Sequence, residues 1–472
     1  MESSALFIKH SLAAIKAACP IQIILTSDYS KWLTKQPKFI ANQLLSTCFE
    51  PKHGAFTLLL DAKGERCMVL QILDSLEDYL QVGALSANLP KGSYYFLEPK
   101  TLTSPQLTNL VIGFGLGGYQ FDAFKTKVTS QRLCRLVLPP ATKFNAPKAL
   151  AVLEATFKVR DLINMPSEQL YPLALASEAA AIAKRFKARF KVIKGKTLAT
   201  NFPAVAAVGR GSVREPCLIE LNYGSPKHFK LTLVGKGVCF DAGGLDLKSA
   251  SGMLEMKKDM GGAAHALGLA QIIMQLKLPI NLRVLIPAVE NLPSGSSYKV
   301  RDIIRMRSGV SVEVGNTDAE GRLILADALS LATEASPDLI IDFATLTGAA
   351  RVALGMDMAA LFSNQDALAQ NLVAHMNREA EPVWQLPLYQ PYKEYLHPQH
   401  ADLINTTSSV GISGGAITAA LFLEAFVKQV PWIHLDFNGS NIKAAPGRPK
   451  GGEAICLRGA LAFLEQMLAA RA

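Results

Sequence analysis

From residue 228 onward the chain alternates unbroken apolar runs with helical patterns. HFKLTLVGKGVCF (228–240) leads into GGAAHALGLAQIIMQLK and then NLRVLIPAVEN. VSVEVGN precedes RLILADALSLATEA, and PDLIIDFATLT and PWIHLDF close the series. A strand with one wet face alternates polar and apolar residues, whereas a strand covered on both faces does not. Covered strands separated by helices predict an α/β fold with a mainly parallel mixed sheet sandwiched by helices. Ligands in such folds bind beyond the carboxyl ends of the strands. Those ends are where chemistry is to be sought.

A chain of 472 residues exceeds one ordinary core, so two domains are expected. In residues 1–145, FTLLLDA, CMVLQIL and SYYFLEP read as strands, and SLAAIKAA and FIANQLLSTC as helices. They imply a smaller N-terminal α/β domain, in which no chemical motif is visible. The Pro-rich stretch LPPATKFNAPK (138–148) marks a break. A connecting helix is placed over 146–165, and the second domain over 166–472.

Hydrophobic residues make up 49% of the chain and charged residues 19%, the balance of a globular protein with large buried surfaces. No segment reaches the ~18 uncharged apolar residues of a membrane span. The first twenty residues are interrupted by Lys9, His10 and Lys16 and lack the apolar core of a signal peptide. Seven scattered cysteines without a CxxC imply neither a disulfide framework nor a thiolate metal site, and suit a reducing cytoplasm. The net charge of +10 permits an acidic partner such as nucleic acid. The basic residues form no long block, so a mildly basic soluble surface is the plainer reading.

Acidic residues gather at or near the expected strand ends. VGKGVCFDAGGLDLK carries Lys236, Asp241 and Lys248, and EMKKDMGGAAH carries Asp259. NTDAEGR carries Asp318, Glu320 and Arg322, and DFATLTG carries Thr345 and Thr347. In extended backbone, residues two apart share a face, so Asp318 and Glu320 can point together. Singly, each residue has a plain explanation. Asp259 could cap a helix. Asp241 could start a turn. Lys236 could reach out to solvent, and Arg322 could pair with Glu320. Together, the carboxylates of Asp241, Asp259, Asp318 and Glu320 would repel strongly without cations. Four negative charges match two divalent ions. Oxygen donors suit Mg²⁺, Mn²⁺ or Zn²⁺, and ions ~3.5–4 Å apart can polarise a carbonyl and hold an attacking water between them. Lys236 could then serve as a neutral amine ligand. Lys248 and Arg322 would stay positive beside a developing oxyanion.

NTDAEGRL, with VGKG…FD…GG…LK and KKDMGGAA upstream, resembles the leucyl (cytosol) aminopeptidase family, peptidase family M17. The strong resemblance covers about residues 230–350, and a weaker one runs from VRDLINMPSEQLYP (159–172) to the C-terminus, including GGAITAALFL and HLDF. It implies that Lys236, Asp241, Asp259, Asp318 and Glu320 bind metal. Lys248 would be catalytic, and Arg322 would hold a bicarbonate ion that shuttles protons. Met256 and Thr345 match positions that line the family's side-chain pocket. The resemblance implies a cytoplasmic homohexamer whose 166–472 domain, with two Mn²⁺ or Zn²⁺ ions and a bridging water, hydrolyses the N-terminal residue from peptides. Some bacterial relatives also bind DNA, so a DNA-binding regulatory protein with secondary peptidase activity is the alternative.

The chain departs from the family pattern in places. Ala242 stands where Ser is frequent, and Asp246 adds an acid inside GGLDLK, read as a residue at the rim of the site. DFNGSN follows the last strand, where Asn438 and Asn441 are polar, so a leucine preference does not follow. Asp327, inside an apolar helix, has no explanation from sequence. The Gly pairs in GKGVCFDAGG do not have the G-x-G-x-x-G spacing of a nucleotide site, and neither GxxxxGK[ST] nor HExxH occurs in the chain. His265 and His434, in apolar elements, read as satisfied core residues.

Overall fold

A computed structural model describes residues 3–97, 102–126, 134–409 and 411–471. By its contacts the chain divides into two compact units, residues 1–157 with 443–450, and residues 158–442 with 451–472. No helix among the described residues is long and apolar enough to cross a membrane.

The first unit is built on a six-stranded sheet in the order Phe7–Ile8, Cys134–Val137, Gly92–Phe96, Cys19–Leu25, Arg66–Leu73 and Phe56–Leu60. All neighbours are parallel except Phe56–Leu60, which runs against Arg66–Leu73 as a hairpin partner. Ile21, Val69, Leu70 and Ile72 are fully buried in its core. The helix Ser104–Gly117 packs on the segments Tyr79–Val82 and Gly83–Asn88 and is started by a reciprocal capping box between Thr103 and Gln106.

The second unit carries a larger mixed, mostly parallel sheet with helices against it, as the apolar runs predict. Its order is Val383–Gln385, Ala359–Ser363, Trp432–Asp436, Leu339–Ala344, Phe229–Gly235, Ile280–Asn291, Cys217–Tyr223 and Arg189–Ile193. Gly237–Asp241 pairs with the far half of Ile280–Asn291. The four strands Trp432–Asp436, Leu339–Ala344, Phe229–Gly235 and Ile280–Asn291 are parallel neighbours, so their carboxyl ends share one edge.

One strand expectation needs correcting. Only Ser311–Glu313 of VSVEVGN is a strand, and it belongs to a separate three-stranded sheet with Ile303–Arg305 and Leu403–Ile404. A second correction follows. Asp318 lies in a turn and Glu320 opens the helix Glu320–Glu334, so the two do not share a strand face. The strands Arg189–Ile193, Cys217–Tyr223 and Ala359–Ser363 were not anticipated from sequence. Arg189–Ile193 and Cys217–Tyr223 pair antiparallel at one side of the sheet.

The helix Glu320–Glu334 packs on the sheet and on the helices Pro203–Gly209 and Gly415–Glu424. Asp327 is fully buried there. Its Oδ2 accepts from the backbone N–H groups of Ala204 (2.8 Å) and Val205 (3.4 Å), and its Oδ1 from that of Arg307 (2.9 Å). The side chain therefore caps the first turn of Pro203–Gly209 from 123 positions away. Burial raises its pKa to about 6, against the opposing pull of those three N–H donors. Asp327→Ala leaves the donors buried and unsatisfied, which costs on the order of 3 kcal/mol. A clear fall in the denaturant midpoint of purified protein is expected. An unchanged midpoint would remove the capping role.

Candidate metal centre at the sheet edge

Lys236 lies at the break between Phe229–Gly235 and Gly237–Asp241. Its backbone N–H donates to Phe343 O (3.0 Å) and its carbonyl accepts from Ala263 N (2.8 Å), which fixes the side chain at the sheet edge. In a regular strand, positions 236 and 241 point to opposite faces. The register against Ile280–Asn291 shifts between Val238 and Phe240. A bulge there inserts one residue and returns Asp241 to the Lys236 side. Asp241 is in register with Asn291, the last residue of its neighbour strand.

The acids meet two ammonium groups. Lys236 Nζ is 2.7 Å from Asp259 Oδ2 and 2.9 Å from Glu320 Oε1, and it also donates to Thr345 O at 3.3 Å. Lys248 Nζ is 2.8 Å from Asp241 Oδ2 and contacts Asp318 Oδ1. Ligand atoms of Asp241, Asp259 and Glu320 lie within 4.8 Å of one another, and all three residues are buried. Gly321 makes room for this. A Cβ there would stand 2.7 Å from Lys236 Nζ, so any larger residue would push the ammonium out.

Burial raises the pKa of Glu320, of Asp259 and of Asp318, and the Asp241 carboxylate pushes each further. Burial would lower the Lys236 and Lys248 pKa values, but the surrounding carboxylates outweigh it and raise both. Like charges this close, in so little water, need cations.

Neighbouring polar groups orient the cluster. Asp241 Oδ1 accepts from Gly243 N and from Asn291 Nδ2, each at 2.9 Å. Asp241 thus forms the turn expected of it and also pairs with Lys248. Asp259 caps nothing. Its Oδ1 accepts from Thr345 Oγ1 at 2.7 Å, while Oδ2 faces Lys236. Asn291 Nδ2 also reaches Thr317 O (3.0 Å) and Glu320 Oε2 (3.5 Å). The turn that presents Asp318 is tied on two sides. Asp246 Oδ2 accepts from Thr317 N (2.7 Å), and Thr317 Oγ1 donates to Gly243 O (2.6 Å). On the other side, Asn405 Oδ1 accepts from Gly315 N (2.7 Å) and its Nδ2 donates to Asn316 O (2.7 Å). The Gly243–Gly244 turn that carries Asp246 uses φ of +91° and +66°, which glycine adopts without strain.

A cavity of about 360 Å³ opens on this cluster. Lys236, Asp241, Lys248, Asp259, Asp318, Met256 and Thr345 all line it, so it gathers seven of the nine residues singled out from sequence. Glu320 touches the group through Lys236. Arg322 does not line the cavity. Its Nε is buried without a hydrogen-bonding partner among the described residues. Burial lowers its pKa to about 10, against the pull of Glu320 and Asp436. His265 is satisfied at both ring nitrogens, by Gly261 O and Ile455 N. His434 Nδ1 pairs with Asp342 at 2.6 Å, while its Nε2 is unpartnered.

Sequence reasoning missed Asn291, Thr317, Asn405 and Lys258. The first three act through contacts from 26 to 90 positions away and leave no local pattern. Lys258 did leave one, the doubled lysine of KKD. It lines the cavity, and its Nζ is buried with no hydrogen-bonding partner among the described residues. Burial lowers its pKa to about 8 against the Asp259 carboxylate, and Arg351 pulls the same way.

The donor set fits hard or borderline divalent cations. It offers clustered carboxylate oxygens, an amine at Lys236, and an amide, Asn291, that holds a carboxylate from behind. Replacing Asn291 by Leu keeps volume and removes that support. Mn²⁺ affinity, titrated calorimetrically, is expected to weaken by roughly tenfold to a hundredfold. Equal affinity would show that Asn291 does not support a cation site.

A profile described as the cytosol aminopeptidase family, catalytic domain, matches residues 157–460, and one described as the M17 aminopeptidase N-terminal domain matches residues 19–139. The chain is 41% identical over 378 residues to a probable cytosol aminopeptidase of Syntrophotalea carbinolica, covering 76% of this chain and 74% of that one. It is 40% identical over 416 residues to a probable cytosol aminopeptidase of Chlamydia caviae, covering 84% and 82%. Among solved structures, the cytosol aminopeptidase from Coxiella burnetii is similar at a TM-score of 0.93 and 43% identity, covering 98% of this chain and 100% of that one. The bottromycin maturation enzyme BotP in complex with Mn is similar at 0.85 and 30%, covering 96% and 100%.

Proposed function

This chain belongs to the M17 cytosol aminopeptidase family and is a peptide hydrolase, and on that premise we propose that it is a metal-dependent aminopeptidase that removes the N-terminal residue from peptides at a two-metal site. The observation that carries the reading is the buried convergence of Asp241, Asp259 and Glu320 around two lysines in one cavity. The Mn complex of BotP supports the choice of cation.

Lys236, Asp241, Asp259, Asp318 and Glu320 would hold two divalent ions, Mn²⁺ or Zn²⁺, with Lys236 giving up its proton to act as an amine donor. When bound, the ions would supply Lewis acidity toward the scissile carbonyl and lower the pKa of a water for attack. Lys248 keeps its charge beside the cavity. Its ammonium faces Asp241 and Asp318 and would stabilise the oxyanion that develops on the carbonyl. Arg322 carries a buried Nε with no partner, a donor suited to bicarbonate, the proton carrier that the resemblance implies. Met256 and Thr345, on the cavity wall, would contact the side chain of the residue released. A requirement for a free, unprotonated α-amine on the metal side would confine cleavage to the first residue. The 166–472 region would form the peptidase domain, joined through a helix over 146–165 to the 1–145 domain, in a cytoplasmic homohexamer.

Lys248→Ala with both metals retained is expected to lower kcat by roughly 10²–10³, checked on an amino-acid p-nitroanilide beside metal analysis. Near-normal turnover would remove Lys248 from catalysis. A chelator is expected to abolish amide cleavage, and Mn²⁺ or Zn²⁺ to restore it at two ions per chain. Full activity in metal-free protein would end the two-metal reading.

A further inference from the structure

Every carboxylate of the cluster is shared between Lys236 and Lys248. Two further cations on the same cavity wall, Lys258 and Arg351, are left over. Lys258 is 4% exposed, and its Nζ has neither a solvent-exposed surface nor a hydrogen-bonding partner. The nearest acids cannot serve it. Asp259, the next residue, is engaged by Thr345 and Lys236. Asp436 accepts from Leu346 N (2.9 Å), Thr347 N (3.1 Å) and Thr347 Oγ1 (2.6 Å). Arg351, which lines the same cavity, forms no ion pair among the described residues.

A buried ammonium without a counter-ion is strongly disfavoured. A chain that keeps one beside a second cation is built to receive an anion from outside. Met256 and Thr345 border the same space, the positions expected to meet the side chain of the residue released. An apolar side chain would leave both cations unpaired, whereas a side-chain carboxylate would satisfy them with charge-assisted hydrogen bonds.

We propose that Lys258, with Arg351, makes this site selective for peptides that begin with an acidic residue, Glu or Asp, whose side-chain carboxylate they bind. The proposal rests on the aminopeptidase reading above. It places Lys258 in specificity, acting by charge, and gives it no part in the bond cleavage.

The test uses the full chain loaded with Mn²⁺ and the p-nitroanilides of Glu, Gln, Asp, Asn and Leu, which lack a C-terminal carboxylate. In wild type, kcat/KM for Glu over its neutral isostere Gln is expected to reach roughly tenfold or more, with Asp over Asn in the same direction. Lys258→Met should erase or invert the Glu:Gln ratio, chiefly through KM, and raise turnover of Leu. Lys258→Arg should keep the acidic preference. If wild type cleaves Leu and Gln at least as well as Glu, the proposal is overturned while the aminopeptidase reading stands, and this arm needs no variant to fold. If none of the five is cleaved, both fall. A dipeptide series in which Lys258→Met weakens binding only when the C-terminal carboxylate is free would place that group on Lys258 instead, and would also overturn the proposal.

Discussion

Two sets of ion pairs, one buried around Lys236 and one half-buried around Lys248, tie together the acids of the second unit. Lys236 bridges Asp259 and Glu320, and Lys248 bridges Asp241 and Asp318. The Lys236 pairs and Lys248–Asp318 join different segments, whereas Lys248–Asp241 closes a local turn, and removing an acidic partner of Lys236 would leave an uncompensated buried charge. Well-packed apolar residues of similar volume often stabilise a fold as well as a buried ion pair does. Charges held in so unfavourable a place mark the cluster as the candidate site.

The backbone delivers these groups by several routes. Parallel strands bring Asp241, Asn291, Thr345 and Asp436 to one edge, because each lies at or just beyond the end of a neighbouring strand. The Asp318 turn arrives from a separate small sheet and is held by Asp246, Thr317 and Asn405. Asp246, expected at the rim, therefore lies at the rim and also ties one acid-bearing loop to the other. The same logic explains Asp327. An acid that breaks the apolar pattern of its helix is the cap of a different helix.

The charge balance of the cavity is uneven. Its acids are fully used by two lysines, while Lys258 and Arg351 face the same space without acidic partners. Acids paired with lysines and two cations without acidic partners thus border one cavity. A peptide with a free α-amine at one end of its first residue and a carboxylate on its side chain would meet both.

The sequence by itself determined the layered α/β architecture, since short apolar runs alternating with helical patterns read as strands covered on both faces, and it held the residue types that gather in the cluster. Spacing and motif sufficed to name Lys236, Asp241, Lys248, Asp259, Asp318 and Glu320, because short stretches at strand and helix boundaries hold each within a recognisable pattern. Only the tertiary structure decided that a bulge before Phe240 turns Asp241 toward Lys236, that Asp318 and Glu320 meet the site from a turn and a helix start, and that Lys258 has no partner while Arg322 stays off the cavity wall. The physical reason is range. Burial, registry and counter-ions are set by segments tens to hundreds of positions apart, and no local pattern records which charge will be left without its opposite.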